Sequence, residues 1–120
     1  MQRNYKNIKA WQLADRLTGD IYRATRDFPK EEIYGITSQL RRAAVSVPCN
    51  IVEGATRNHD KEYLQFLYIA KGSLSETEYL LYLSNSLGFL KADQYKILDE
   101  ICQECARTLY GLILAVSKKP

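Results

Sequence analysis

The residue types here that most often carry chemistry are three cysteines, one histidine and a row of polar side chains in mid-sequence. Cys102 and Cys105 have the Cys-x-x-Cys spacing of zinc and redox sites. A structural zinc site needs two such pairs or added histidines, and only Cys49 and His59 remain to supply them. Because residues three apart share one face of a helix, the spacing favours two cysteines packed in a core.

Carboxylates on facing helices are a second source of chemistry, since helical bundles use them to hold pairs of iron ions. Such sites need a Glu-x-x-His motif from each of two helices, and His59 has no glutamate three residues before it. We expect the following polar side chains to form one hydrogen-bonded group instead: Ser46, Asn50, Glu53, Ser73 and Glu76. An enzyme built on this group is the least favoured alternative, so the sequence predicts a non-catalytic protein without metal or cofactor.

Much of this polar group lies in residues 39–57, around which the rest of the chain is organised. Apolar residues recur here at helical spacing and polar residues recur on a neighbouring face. The polar face has three interpretations: a solvated surface, a hydrogen-bond network that fixes helix register, or a ligand site. Pro48 removes one backbone hydrogen bond, so a helix that continues in phase through it should be kinked there.

The same residues carry a resemblance to a known family. Residues 46–54 read S-V-P-C-N-I-V-E-G after Q-L-R-R-A-A. This string resembles the signature S-I-P-x-N-I-A-E-G of the 23S rRNA intervening-sequence proteins, and the departures Val47 and Val52 are conservative. Further matching segments are A-W-Q-L-A (10–14), F-P-K-E-E-I-Y-G (28–35) and I-A-K-G-S-L-S-E (69–76).

The resemblance implies a four-helix bundle of a bacterial-type family. Proteins of this kind are encoded within intervening sequences of 23S rRNA genes. Their relatives include the accessory variability proteins of diversity-generating retroelements, which form pentameric barrels and bind nucleic acid and a reverse transcriptase. By this resemblance we expect a homo-oligomer, a pentamer, with RNA, DNA or a nucleic-acid-bound protein as partner.

Composition indicates one cytoplasmic domain, residues 1–120. The chain has 46% hydrophobic and 26% charged residues, which is typical of a globular protein. Three cysteines argue against a disulfide framework and favour a reducing compartment. The first residues lack the apolar segment of a signal peptide, and the longest uncharged run, 79–90, is too short to span a bilayer.

Hydrophobic periodicity predicts four helices, at about 8–27, 31–54, 60–87 and 93–116. Because the connections are short, the predicted fold is all-α, an up-down-up-down four-helix bundle. The third helix is apolar on two faces, whereas a helix of a lone bundle buries one. The extra face indicates a subunit interface, and its candidate residues are Tyr68, Tyr79, Leu80 and Tyr82.

The net charge is +3, and the positive excess lies in residues 1–42, with nine Lys/Arg against five Asp/Glu. Lys9, Arg16 and Arg23 repeat every seven residues and should follow one outer face of the first helix. Asp20 and Asp27 stand four residues past the two arginines, so the face is either a salt-bridged surface or a phosphate-contacting stripe. Charge placement gives these candidates for phosphate contact: Lys9, Arg16, Arg23, Arg41, Arg42, Arg57 and Lys61.

Two functions therefore compete. One is a non-catalytic oligomer that binds nucleic acid. The alternative is a structural oligomer that acts as a protein–protein interaction scaffold and has no affinity for nucleic acid. Because contacts with phosphates release counterions, a salt-dependent affinity for RNA or DNA distinguishes the first function from the second.

Overall fold

The computed structural model describes residues 3–118. Four α-helices make up most of this range: α1 (Lys9–Ala24), α2 (Ile36–Ala55), α3 (Asp60–Ser86) and α4 (Ala92–Ser117). Short 3₁₀ turns precede α1 and connect it to α2: Tyr5–Asn7, Thr25–Asp27 and Lys30–Glu32. The predicted four-helix, all-α fold is confirmed, and no strand occurs in the described part of the chain.

The start of α2 differs from the sequence prediction. Glu31 and Glu32 lie in a 3₁₀ turn, and α2 begins only after Gly35, whose backbone angles (φ −111°, ψ −121°) are not helical. The Glu32 side chain nevertheless serves the helix, because its Oε1 accepts a hydrogen bond from the Ile36 N–H at 3.4 Å. Negative charge stabilises a helix N-terminus, and here it comes from the preceding turn.

Each helix packs against the next one along the chain, and α1 also packs against α4, which completes the four-helix bundle. Between α2 and α3, Ser46 contacts Ser73 near mid-helix, while Gly54 lies beside Tyr63 and Phe66 near the connection. Late residues of one helix thus meet early residues of the next, the pattern of antiparallel neighbours. Other pairs follow it: Thr18 with Ala44, Thr25 with Arg41, Lys71 with Tyr110, and Glu78 with Gln103.

The core consists of aliphatic side chains contributed by all four helices at helical spacing. The most deeply buried large ones include Leu17, Ile21, Leu40, Ile51, Leu67, Leu81 and Leu109. Burying one such side chain stabilises the fold by about 1.5–3 kcal/mol. The apolar residues whose spacing predicted the helices are therefore also the residues whose burial stabilises the fold.

Pro48 lies inside α2 and is buried, and the helix continues on both sides of it. The predicted continuity of this helix therefore holds, while the bend at Pro48 stays a prediction. Among residues 3–118, no helix combines the length and the apolar character that crossing a bilayer requires.

Candidate functional site

The polar residues of the signature meet α3 along the contact between α2 and α3. The hydroxyl oxygens of Ser46 and Ser73 lie 2.8 Å apart. Asn50 Nδ2 donates to Ser46 Oγ (3.0 Å) and to the Ser46 carbonyl oxygen (2.8 Å). All three side chains are half-buried. They form a small network in which Ser46 and Ser73 link α2 to α3, and half-buried polar groups favour the helix register in which they are paired.

Glu53 and Glu76 do not belong to this network, so the predicted five-member group is wrong for these two. Glu53 Oε2 lies 3.5 Å from Arg57 Nη2, one helical turn further along, and its side chain is exposed. Glu76 is exposed as well. An exposed carboxylate stays hydrated at little cost, and this removes the drive to pair with a half-buried serine or asparagine.

Gly54 gives the signature a packing role that the sequence pattern did not reveal. A Cβ added there would lie 2.7 Å from Phe66 Cβ and 3.1 Å from Tyr63 Cδ1. Contacts below 3.0 Å are far inside the ordinary packing distance of carbon atoms, about 3.5–4.0 Å. Only glycine at this position lets α2 and α3 approach so closely.

Two of the seven cationic candidates, Arg41 and Arg57, lie against aromatic rings of the fold. Arg41 Nε donates to Thr25 Oγ1 at 2.8 Å, and its guanidinium lies over the Tyr22 ring, 4.9 Å from the centroid. Arg57 lies over the Phe66 ring at 4.7 Å and pairs with Glu53. Both arginines are half-buried, and we assign them to joining neighbouring segments rather than to the outer cationic surface.

The other five candidates are exposed: Lys9, Arg16, Arg23, Arg42 and Lys61. Arg23 Nη2 lies 2.7 Å from Asp20 Oδ1 and Arg16 Nε lies 3.9 Å from Asp20 Oδ2, so the two arginines share one carboxylate. The expected pairing of Arg23 with Asp27 is wrong. Because α1 ends at Ala24, Asp27 falls in a 3₁₀ turn, where the i,i+4 geometry no longer holds.

The outer face of α3 is rich in exposed aromatic rings. Tyr68, Tyr79 and Tyr82 are 54%, 57% and 56% exposed, and Ile69 adds an aliphatic side chain. Leu80, in contrast, is 3% exposed and belongs to the core, so its prediction as an interface residue is wrong. One residue corresponds to about 100° around a helix, and this rotation separates Leu80 from its exposed neighbour.

A groove of about 540 Å³ lies between α1 and α2, on helices other than the one that carries the tyrosine face. Its apolar wall includes Trp11, Val45, Pro48 and Val52, and Cys49 also lines it. Sequence reasoning missed this groove because its lining comes from two helices, and the pattern of one helix does not show which residues of another lie beside it. The available signal was Val45, an apolar residue outside the buried stripe of α2.

Cys102 and Cys105 are both buried in the core. Desolvation raises the pKa of each thiol from its ordinary value of 9.0 to about 12. Their prediction as packing residues is confirmed. Between pH 9.0 and about 12 the unfolded chain loses these protons while the folded chain keeps them, so their contribution to stability falls as the pH rises through that window.

We expect iodoacetamide to leave Cys102 and Cys105 unmodified in the native protein at about pH 8, since the thiolate is the reactive form. The Cys49→Ser variant removes the exposed thiol and gives a clean readout by intact mass. This variant should take up no label when native and two labels after unfolding in guanidinium. Rapid labelling of the native variant would contradict the burial of the pair.

The model of the 23S rRNA-intervening sequence protein family matches residues 6–111. A crystal structure of a protein with unknown function from the S23 ribosomal protein family of Bacteroides thetaiotaomicron is similar in fold, with a TM-score of 0.73. The two chains are 23% identical, and the match covers 88% of this chain and 94% of that one. No curated protein matches the chain.

Proposed function

This chain belongs to the 23S rRNA-intervening sequence protein family, and we propose that it is a non-catalytic, cytoplasmic homo-oligomer that binds nucleic acid. The observation that carries the proposal is the cationic row on α1. Lys9, Arg16 and Arg23 are exposed at seven-residue spacing, and the two arginines share the single carboxylate of Asp20. The row therefore keeps an excess of positive charge facing solvent.

The length of the cationic row suits a nucleic-acid backbone. With a rise of 1.5 Å per residue, Lys9 and Arg23 are separated by about 21 Å along α1. One strand of a duplex carries about six phosphates over that distance. Contacts of this kind neutralise backbone charge without reading bases, so we expect binding that depends weakly on sequence.

We further propose that copies of the chain assemble into a ring, a pentamer as the family resemblance implies. A closed ring with an odd number of subunits needs two different surfaces that fit each other. We take the exposed tyrosine face of α3 and the apolar groove between α1 and α2 as these two surfaces, because both expose apolar side chains and they lie on different helices. When the face of one copy packs into the groove of the next, aromatic surface is buried. The ring then presents one cationic row per subunit, and several rows that contact one nucleic acid strengthen its binding through avidity.

The test is a charge reversal of the row, Lys9→Glu with Arg16→Glu and Arg23→Glu. We expect wild-type affinity for RNA and DNA duplexes to fall steeply with salt, with a slope of about −0.9 in log units per phosphate neutralised. The variant should lose measurable binding at low salt, because repulsion replaces attraction along the whole row. Fluorescence anisotropy across a salt series, together with native mass, gives both quantities.

The matched control places the same change of charge on α4 and on the residue that follows it, with Lys96→Glu, Arg107→Glu and Lys118→Glu. It should keep much of the wild-type affinity, because these residues lie outside the row. Equal losses in the two variants would show that net charge, and not the row on α1, governs binding. A wild-type oligomer without affinity at low salt would favour the alternative, a structural scaffold for a protein partner.

A further inference from the structure

A cavity of about 300 Å³ lies at the end of the bundle where α1 leads into α2. Its lining includes three cationic side chains, those of Arg26, Lys30 and Arg41, and no carboxylate. The connection between the two helices supplies an apolar wall that includes Phe28 and Ile33. The cavity is separate from the cationic row, since none of the residues of the row lines it.

Thr37 is the residue that distinguishes this cavity from an ordinary surface depression. It lies in the first turn of α2, lines the cavity and is 2% exposed. Its Oγ1 has no hydrogen-bond partner within residues 3–118. A buried hydroxyl without a partner is unfavourable, so a polar ligand atom that reached it would gain an interaction that folding leaves unmade.

The rest of the polar lining is already arranged for an anion. Arg41 is held by the Thr25 hydroxyl and by the Tyr22 ring, and this fixes its charge beside the cavity. Arg26 and Lys30 are exposed, so their long side chains can close over a bound group. The first turn of α2 adds the positive end of a 20-residue helix, although Glu32 accepts one of its N–H groups at 3.4 Å.

We propose that this cavity binds a phosphomonoester group. A ligand with one carboxylate carries a single negative charge, which would leave two of the three cations without a counter-charge. A phosphomonoester carries about −1.5 to −2 at neutral pH and neutralises more of them. Its oxygens accept several hydrogen bonds at once, from guanidinium forks and from the Thr37 hydroxyl. The volume lies at the lower end of small-molecule sites, which suits a phosphate with the sugar attached to it.

Two sources present the same chemical group: a free mononucleotide and the 5′-phosphorylated end of a nucleic-acid strand. The inference goes beyond the proposed function, in which the row on α1 contacts phosphodiesters along a backbone. Recognition of a terminal phosphate would add a preference for strand ends. Recognition of a free nucleotide would instead add a small-molecule ligand to the oligomer.

The experiment compares adenosine 5′-monophosphate with adenosine by calorimetry, and a 5′-phosphorylated oligonucleotide with its 5′-hydroxyl form by anisotropy. We expect the phosphate to be required for binding of the mononucleotide or to strengthen binding of the oligonucleotide. Thr37→Val keeps the shape and removes the hydroxyl. The variant should bind the phosphate group about tenfold more weakly, because the hydrogen bond from the hydroxyl is lost. The melting temperature of the free protein should rise, because the variant no longer buries an unpaired hydroxyl.

These opposite effects separate ligand binding from damage to the fold. Arg26→Gln and Lys30→Gln should each weaken the same affinity, and Arg107→Gln, which lies outside both the cavity and the row on α1, should not. A phosphate effect with the mononucleotide alone identifies a small-molecule site, and one with the oligonucleotide alone identifies a strand-end site; both support the proposal.

The proposal is overturned if Thr37→Val has the phosphate-dependent affinity of the wild type, or if the phosphate changes the binding of neither probe. The proposed function fails by a different result, which is absent binding of the 5′-hydroxyl oligonucleotide at low salt.

Discussion

Replacing Leu80 with glutamate is expected to unfold the protein, whereas Tyr79→Glu is expected to leave it folded and to lower its native mass. Leu80 is 3% exposed, so the change removes a packed aliphatic side chain and buries a carboxylate without a partner. Loss of the burial energy of the leucine side chain alone costs about 1.5–3 kcal/mol. The buried unpaired charge adds several kcal/mol more, and the total is comparable with the 5–15 kcal/mol that stabilise a typical domain.

Tyr79 is the matched position on the same helix, because it differs by one residue and is 57% exposed. A carboxylate there stays hydrated in the monomer, and the fold should tolerate it within about 0.5 kcal/mol. If the tyrosine face of α3 is seated in the α1–α2 groove of the next copy, the same carboxylate is forced into an apolar contact. Assembly should then be lost although the helices remain.

Circular dichroism with thermal melting and light scattering after size exclusion separate the two effects. Tyr79→Phe is the conservative control, since it keeps the ring and should keep the native mass. Cys49 supplies an independent readout, because it is exposed, lines the groove and should be alkylated faster in Tyr79→Glu than in the wild type. A Tyr79→Glu protein with wild-type mass would exclude this face from the interface, and a monomeric wild type would refute the ring.

Gly54→Ala is expected to destabilise the protein by about 1–3 kcal/mol through overpacking. In an exposed helix the same exchange stabilises, by about 0.5–1 kcal/mol, because glycine loses more conformational entropy on folding. At Gly54 the same exchange should destabilise the protein instead. The new Cβ would lie 2.7 Å from Phe66 Cβ, an atom next to the backbone that cannot move away without shifting α3.

Gly111→Ala is the control, since Gly111 lies inside α4 and its added Cβ would meet nothing within 4 Å. It should stabilise the protein by up to about 1 kcal/mol. Urea unfolding of both variants gives the two free-energy changes directly. A stabilising effect of Gly54→Ala similar to that of Gly111→Ala would show that α2 and α3 can separate at little cost and that the close approach is not essential.

The sequence by itself determined the all-α class, the four helices and most of the core. Apolar residues at three- and four-residue spacing favour a helix whose apolar stripe faces the core. The stripe is buried in the same way whichever neighbouring helix covers it. The same reasoning predicted Cys102 and Cys105 as packing residues. It also anticipated a hydrogen-bonded group with Ser46 and Asn50 as one of three interpretations, since residues four apart lie on the same face of a helix.

The tertiary structure alone decided which partner each side chain meets. Arg23 pairs with Asp20 rather than Asp27 because α1 ends first, and Leu80 is buried because of the way α3 is rotated against its neighbours. The cavity at Thr37 is formed by residues from the connection after α1 and from α2, so no single periodic pattern contains it. Periodicity is a property of one helix, whereas grooves, ion pairs and cavities depend on the relative placement of several.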